Sequence, residues 1–555
     1  MSLRDELRAL QVGDVSDDVA TLTAASRDTS LFEVRPEVVV SPRGEADLEK
    51  LVVWAGSKSG TVALTARSGG TGMDGGALTE SIVVDFTKHF DRIKAFSEST
   101  GVVEPGAYYR DFERESLKRD LLMPSYPASR EICTVGGMVG NNAGGELTLT
   151  YGKTANFVRS LRVVLADGKT HVIAPLALSA LQEKILETTF EGSFYREMYM
   201  LIKDNRAIIE KHTPKVSKNS AGYAIWDVLD EERGVFDLTR LFTGSQGTLG
   251  LITEITFSLV HPAKHSQMMV VFLDSLKHLG DIVKTILSFK PTTFESYDDK
   301  TMRLALRFFP GLVGRLGWRK VLSILFHSVN EAAIIALHGV PKLVLQVTFD
   351  GDDPHALLAK EKKLKEALKQ FHPGYRDIVR SSDEAKEYWL IRRESFNLLR
   401  TKVKGMQTAP FIDDIVVPTD TLSEFLPRLN AILDEYKGYM IHNIAGHVGN
   451  GNFHIIPLMD LSDEKVRAVI PEIARKVYDL VFEYGGSATG EHNDGLIRTS
   501  FLEQQFGPEM YALFKRVKDI FDPKGIFNPG KKVPTDSSGR AAGSMEYALA
   551  HIARK

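Results

Sequence analysis

The sequence predicts an α+β fold of two or three domains. Between Val38 and about Val260, short apolar runs alternate with segments of helical spacing and with glycine-rich turns. From about Ala263 to Tyr484 the texture changes, and strand-like runs flank helices rich in Lys and Glu. The 555 residues, 43% hydrophobic and 25% charged, are enough to bury more than one core without staples.

Taken in order, Val38-Val39-Val40 reads as a strand ended by Ser41-Pro42. Glu45 to Lys58 carries Leu48, Leu51, Val52 and Ala55 at helical spacing, and Gly60 stops it. Val62-Ala63-Leu64 and Ile82-Val83-Val84 are the next short strands. In the second region Met268 to Phe272 and Leu343 to Val347 read as strands, and Ala359 to Gln370 as a helix. Leu502 to Lys531 is helical in pattern and closes on the glycine- and proline-rich Pro523 to Gly530. There is no internal repeat and no low-complexity segment.

Charge and cysteine content exclude several classes. A net charge of −3 gives no global attraction to nucleic acid. Cys133 is the sole cysteine, so intrachain disulfides and a cysteine-ligated iron–sulfur cluster within this chain are ruled out, and a reducing compartment fits. The polar, acidic stretch from Ser2 to Asp18 lacks the apolar core of a signal peptide, and no run approaches the roughly 20 apolar residues of a membrane-spanning helix. A cytoplasmic location is expected.

Three glycine-rich loops stand out: Arg67-Ser68-Gly69-Gly70-Thr71-Gly72-Met73-Asp74-Gly75-Gly76, directly after a strand; Thr134-Val135-Gly136-Gly137-Met138-Val139-Gly140-Asn141-Asn142-Ala143-Gly144-Gly145; and Gly244-Ser245-Gln246-Gly247-Thr248-Leu249-Gly250, leading into a strand that begins at Leu251. Adjacent glycines let successive backbone N–H groups converge on an anion. A lone loop of this kind reads as a flexible turn; three of them point to a large phosphate-bearing ligand lying across backbone. None is followed by Gly-Lys-Ser/Thr, and none is a Gly-x-Gly-x-x-Gly in a strand–turn–helix setting with a later ribose-binding acid, so a nicotinamide cofactor is not expected.

The second chemical signal is Gly446-His447-Val448-Gly449-Asn450-Gly451-Asn452-Phe453-His454, bracketed by the apolar runs Met440 to Ile444 and Ile455-Ile456. Gly449 to Asn452 is turn chemistry, which predicts a β-hairpin. A turn centred there sets Val448 against Phe453 and His447 against His454, on one face, where two imidazoles can chelate one divalent ion. Thr489-Gly490-Glu491-His492-Asn493-Asp494-Gly495 follows in a loop. Glu491 can supply an anionic third ligand, and His492 is then a candidate general base. The alternative is a surface cross-strand pair of histidines and a polar loop. Imidazole and carboxylate suit Zn, Mn and Fe alike.

In these motifs and their order, from about Pro36 to Lys531, the sequence resembles the FAD-dependent oxidoreductases of the vanillyl-alcohol-oxidase type, in the branch of the D-lactate, glycolate and D-2-hydroxyglutarate dehydrogenases. The resemblance implies a two-subdomain FAD-binding domain over 1–261, an α+β substrate (cap) domain over 262–499 carrying the metal and catalytic motifs, and a segment over 500–555 that returns to the FAD domain. It places the first loop on the FAD pyrophosphate and the other two along the flavin and its ribityl chain. FAD contacts are thereby expected at Arg67, Ser68, Gly69, Gly70, Thr71, Gly72, Thr134, Gly136, Gly137, Asn141, Asn142, Gly144, Gly247, Thr248 and Ile252. Phe527-Asn528-Pro529-Gly530-Lys531 looks like the family's returning tail, which adds Asn528 and Lys531. It makes His447, His454 and Glu491 ligands of a divalent metal and His492 catalytic. It also makes Arg392, three residues after Trp389, the group that grips the substrate carboxylate, a task suited to a bidentate guanidinium; Arg393 is the neighbouring alternative. With no histidine in the first loop, the FAD is expected to be non-covalent. The chain departs from the family pattern at Pro124-Ser125-Tyr126-Pro127, Gln246, Asn450, Asn493 and Ile412.

The implied activity is metal-assisted oxidation of a D-2-hydroxy acid (of D-lactate, glycolate or D-2-hydroxyglutarate type) to the 2-oxo acid, by hydride transfer to flavin. The alternatives are a non-redox FAD transferase of the same fold and a flavin subunit that needs an iron–sulfur partner. A quinone or an electron-transfer protein would accept the electrons. From Met302 to Asn330, Arg303, Arg307, Arg315, Arg319 and Lys320 lie among apolar residues with no acid until Glu331. Such a helix can rest on an anionic membrane at its inner face, or pack into the core with a solvated basic edge.

Overall fold

The β-branched and apolar runs near the start of the chain assemble into a four-stranded sheet, ordered Asp14–Ser16, Val38–Ser41, Ile82–Asp85, Leu64–Arg67. Its last three strands are parallel, and the helix Glu45–Ser57 connects the outer two through their crossover side. Leu48, Leu51, Val52 and Ala55 are buried, the face the spacing predicts. The strand after this helix starts at Leu64 rather than Val62; just before it, Ala63 N–H donates to the Ser81 hydroxyl while its carbonyl accepts from Ile82 N–H of the neighbouring strand.

This computed structural model describes residues 2–58, 60–303, 339–371, 375–380, 405–534 and 543–554, the strand Tyr375–Arg380 by its backbone alone. The chain divides into two units: Met1–Pro214 with Lys218–Pro262 and Ser487–Lys555, and Lys215–Ser217 with Ala263–Gly486. The sequence reading carried the second domain on to residue 499, whereas the Glu491–His492 segment lies in the first unit. The basic stretch lies outside the described residues from 304 onward, as do Arg392 and Arg393. No helix among the described residues is long and apolar enough to cross a membrane.

The first unit continues with a five-stranded antiparallel sheet, ordered Ile93–Phe96, Thr100–Val103, Leu251–Ser258, Val158–Val164, Thr170–Ile173. Alternate residues Leu251, Thr253, Ile255 and Phe257 of the central strand are buried. The helix Leu502–Phe521, kinked at Gly507, buries Phe506, Phe514 and Phe521 in the same core. Beyond it the chain returns to the first sheet: Leu64 N–H donates to Ile526 (2.7 Å) and Asn528 N–H to Leu64 (2.9 Å).

The second unit is built on a seven-stranded antiparallel sheet, ordered Tyr375–Arg380, His265–Leu273, Leu343–Gly351, Thr293–Asp298, Ile444–His447, Asn452–Ile455, Ile415–Val416. Helices cover one face; Lys360 of the helix Pro354–Leu368 sits 4.6 Å from the Phe349 ring. The register puts Thr293, Glu295 and Tyr297 on the opposite face with Thr348, Gln346 and Val344. All six residues of Thr293–Asp298 are buried.

Candidate functional site

In the first unit the three glycine-rich segments meet. The first loop follows the strand Leu64–Arg67, as expected. Gly69 N–H donates to Thr134 Oγ1 (2.9 Å), whose hydroxyl also contacts that of Ser68, and Ser68 donates to Pro105 O (2.8 Å). Thr134 therefore joins the first segment to the second. Thr29 bonds the Thr71 and Gly72 carbonyls at 2.9 Å, and Gly70 takes a left-handed φ of 63°.

The second segment is not a loop throughout: Val135–Asn141 is helical and ends on Asn142 at φ 50°. Its glycines are poor helix formers, so tertiary packing carries it. Val135, Met138 and Val139 are buried, and a Cβ on Gly136 would stand 2.5 Å from Pro105 Cβ. The Asn142 side chain accepts from Ala155 N–H (3.0 Å). The third segment bonds back to this helix through Gly244 N–H to Val139 (2.8 Å) and Gln246 N–H to Gly140 (2.9 Å). Gly247 has a φ of 67°, Thr248 bonds the buried Tyr223 hydroxyl (2.7 Å), and Ile252 lies half-buried in the following strand.

These segments offer a cradle of backbone with room above it. A Cβ on Gly140 would meet nothing within 4 Å, one on Gly137 only Thr134 Oγ1 at 3.6 Å, and one on Gly247 only Ala66 Cβ at 3.2 Å. A flat ring system and a pyrophosphate need just such close approach to backbone, so these residues fit FAD. Several expected contacts direct their side chains into the protein instead. Arg67 donates to Arg27 O (2.6 Å), Lys531 to Leu78 O (2.6 Å), and Asn528 to Gly76 O (2.9 Å) and Gln246 O (2.7 Å). Burial pushes the Lys531 ammonium down to about 8.

Gln246, where the family pattern has an acid, sits opposite the buried Asp74. Its amide nitrogen donates to Asp74 Oδ2 and to Asn141 Oδ1 (3.1 Å), and its oxygen accepts from Gly495 N–H (3.0 Å). Burial raises the Asp74 carboxyl, and a glutamate in place of Gln246 would face it with a second acid. Asn493, also a departure, occupies φ 73°, a conformation open to glycine and tolerated by asparagine. Its amide donates to Asn141 O (3.1 Å) and Gly244 O (2.9 Å), fastening the Glu491–His492 turn to the second and third segments. Glu491 Oε2 lies 3.0 Å from Lys218 Nζ, both buried. Gly144 leaves space for that carboxylate, since a Cβ there would stand 2.8 Å from Glu491 Oε2.

In the second unit the hairpin forms with a different register. His447 pairs with Asn452, Gly446 with Phe453 and Ala445 with His454, so His447 does not oppose His454 directly. The turn is Val448–Asn450 plus Gly451 at φ 64°, and Asn452 stays in the strand because its amide donates to Asp414 Oδ1 (2.9 Å). The offset is two residues, which preserves the face. The two imidazoles are diagonal neighbours with ring centroids 5.3 Å apart, edge to face.

Each ring is steered by a buried carboxylate. His447 Nδ1 lies 2.6 Å from Glu295 Oε1, and His454 Nδ1 lies 3.2 Å from Asp413 Oδ1. With Nδ1–H donating, Nε2 carries the lone pair, the tautomer a metal ion requires, and carboxylate partners raise ligand basicity. The histidine pair thus fits a divalent ion. Glu295, Asp413 and Lys218 escaped the sequence reading. The acid set between Phe294 and Tyr297 and the Asp413-Asp414 pair were the available signals.

Comparison with known proteins gives a consistent picture. Residues 36–174 match the FAD binding domain family, and residues 262–532 the FAD linked oxidases, C-terminal domain. The chain is similar to a D-2-hydroxyglutarate dehydrogenase of Escherichia coli (strain K12), with 28% identity over 94% of this chain and 51% of that protein. It is similar to glycolate oxidase subunit GlcD of Bacillus subtilis (strain 168), with 25% identity over 92% of each chain. Among solved structures, 4-ethylphenol oxidase from Gulosibacter chungangensis shares the fold, with a TM-score of 0.68 at 16% identity over 97% of this chain and 98% of that one. The chain spans about half the length of the D-2-hydroxyglutarate dehydrogenases of Escherichia coli and Pseudomonas putida that it matches, and 98% of that of Stutzerimonas stutzeri (strain A1501).

Proposed function

From the premise that the chain belongs, through both of its matched domains, to the FAD-linked oxidases, we propose that it oxidises a D-2-hydroxy acid to the 2-oxo acid. The observation that carries this reading is the pair His447 and His454, each oriented by a buried carboxylate. A flavin fold alone does not call for such a pair; an alcohol that must lose its proton does.

Bound FAD, held without a covalent bond, supplies the hydride acceptor, and a bound Zn, Mn or Fe ion supplies a positive charge that lowers the pKa of the substrate hydroxyl. In this reading His447, His454 and Glu491 are the metal ligands, with Glu295 and Asp413 fixing the two rings. His492 takes the hydroxyl proton as general base. Arg392 grips the carboxylate and sets which hydrogen faces the flavin. Lys218, ion-paired with Glu491, holds that carboxylate in place. A quinone or an electron-transfer protein then takes the two electrons. The greater length of some curated relatives, such as that of Escherichia coli, favours a second reading of that last step, in which a further segment or partner serves the acceptor.

Anaerobic mixing of the FAD-loaded protein with D-lactate, glycolate or D-2-hydroxyglutarate tests the proposal. Bleaching of the flavin absorbance is expected with at least one of them. No bleaching with any, with divalent metal added, refutes it. His492→Ala should abolish reduction while FAD stays bound, and surviving reduction would remove His492 as the base.

A further inference from the structure

The sheet of the second unit carries buried polar groups that have no hydrogen-bond partner among the described residues. Gln346 is 0% exposed, and neither its amide nitrogen nor its amide oxygen has a hydrogen-bond partner among the described residues. Thr293 Oγ1 and Thr348 Oγ1, also buried, are in the same state. They are contiguous: Thr293 opposes Thr348 across the strands, and Glu295 opposes Gln346. All four lie on the face that carries Glu295 towards His447 Nδ1.

Leaving a buried amide or hydroxyl unsatisfied is costly, and native proteins tolerate few such groups. A glutamine at the centre of a strand, flanked by Val270 on the next strand, is a poor choice for packing when leucine or methionine would fill the space. Three of these groups side by side, next to the carboxylate that steers His447, form a receptor prepared for a ligand rather than a packing accident. Together they offer two amide N–H and two O–H donors, with the amide oxygen as acceptor and no charge of their own. A donor-rich neutral set of this kind suits a carboxylate.

We propose that Gln346, with Thr293 and Thr348, forms a specificity subsite for the second carboxylate of a dicarboxylic 2-hydroxy acid. This rests on the activity proposed above and assigns its substrate class: an acid with a polar far end rather than a short alkyl one.

The test uses the full FAD-loaded chain in two arms. In the first, calorimetry with glutarate, a dicarboxylate that cannot be oxidised, reads the subsite without chemistry. Glutarate should bind more tightly than propionate in the parent, and Gln346→Met should weaken glutarate by about tenfold. In the second, flavin reduction by D-2-hydroxyglutarate and D-lactate is compared. Gln346→Met should shift the ratio of kcat/KM against D-2-hydroxyglutarate by about tenfold, and Thr348→Val in the same direction. The melting temperature of Gln346→Met should hold or rise, since an unsatisfied amide has been removed. Equal glutarate affinity in parent and variant, or a drop in melting temperature with no change in the substrate ratio, overturns the subsite and marks Gln346 as structural or water-bound. Glutarate binding that depends on Gln346 without flavin reduction by either acid overturns the activity and leaves the subsite standing.

Discussion

Replacing Gly137 by alanine separates two reasons for a glycine to sit in a helix. Gly136 and Gly137 are adjacent in Val135–Asn141 but not equivalent. A Cβ on Gly136 would collide with Pro105, at 2.5 Å from its Cβ and 2.6 Å from its carbonyl oxygen, so packing alone demands glycine. Gly137 is exposed, and a Cβ there meets only Thr134 Oγ1 at 3.6 Å. Glycine in an exposed helical position is about 0.5–1 kcal/mol less favourable than alanine, so Gly137→Ala should stabilise the flavin-free protein by that amount. For a body of this size the gain corresponds to about 1–3 °C in melting temperature. With FAD the sign reverses. If the flavin lies on this backbone, the added methyl must be accommodated at an overpacking cost of about 1–3 kcal/mol, which weakens FAD about 5- to 150-fold. Thermal melts of deflavinated protein and fluorescence titration with FAD measure both halves. Unchanged FAD affinity would take Gly137 off the flavin's path, and a destabilised flavin-free protein would refute the packing argument. Gly136→Ala is the control and should lower stability with or without FAD.

Two further outcomes follow from named contacts. Glu295→Gln keeps the shape beside His447 but removes the charge; metal affinity, read by titration of metal-stripped protein, should fall about 10- to 100-fold, and parental affinity would show that Glu295 is not a partner of a ligating imidazole. Asp28, half-buried beside the first loop with its Oδ2 enclosed, is pushed up from 3.8 to about 7, mainly by desolvation. Between those values the folded state holds a proton that the unfolded state has released, so stability falls as pH rises through this window. Asp28→Asn should flatten that slope and stabilise the fold at pH 8 by about 4 kcal/mol, read as a higher melting temperature, while an unchanged slope assigns it to another group.

The elements that the sequence made legible are those whose signal is local. Leu48, Leu51, Val52 and Ala55 describe one helical face, and the run Val38–Val40 with its Ser41-Pro42 stop describes one strand. The hairpin was legible in kind but not in register. Asn452 looks like a turn residue in sequence, but its pairing with His447 and Val416 and the bonds of its amide to Asp414 and Ile415 keep it extended. The second glycine segment hid a helix because its packing partner, Pro105, lies some thirty residues upstream, and glycine spacing says nothing of it. In the candidate site the histidines and Glu491 could be read from their motifs. Their partners could not. Glu295, Asp413 and Lys218 are 152, 41 and 273 positions from the groups they hold, and an acid or lysine alone reads as a solvated charge.

The return of the chain's last segment to its first sheet has a consequence for biosynthesis. The edge strand Leu64–Arg67 receives Ile526 and Asn528, and the Thr65 hydroxyl bonds Asn528 across 463 positions. On a ribosome adding about 5–20 residues per second, that edge waits on the order of half a minute or more for its neighbour. The second unit draws nearly all of its residues from Ala263–Gly486 and can acquire its sheet while the first is still incomplete. An exposed strand edge is a template for unwanted pairing, so the nascent chain passes through a long interval of aggregation risk. Chaperone cover of that edge during translation is therefore expected to raise the yield of this protein.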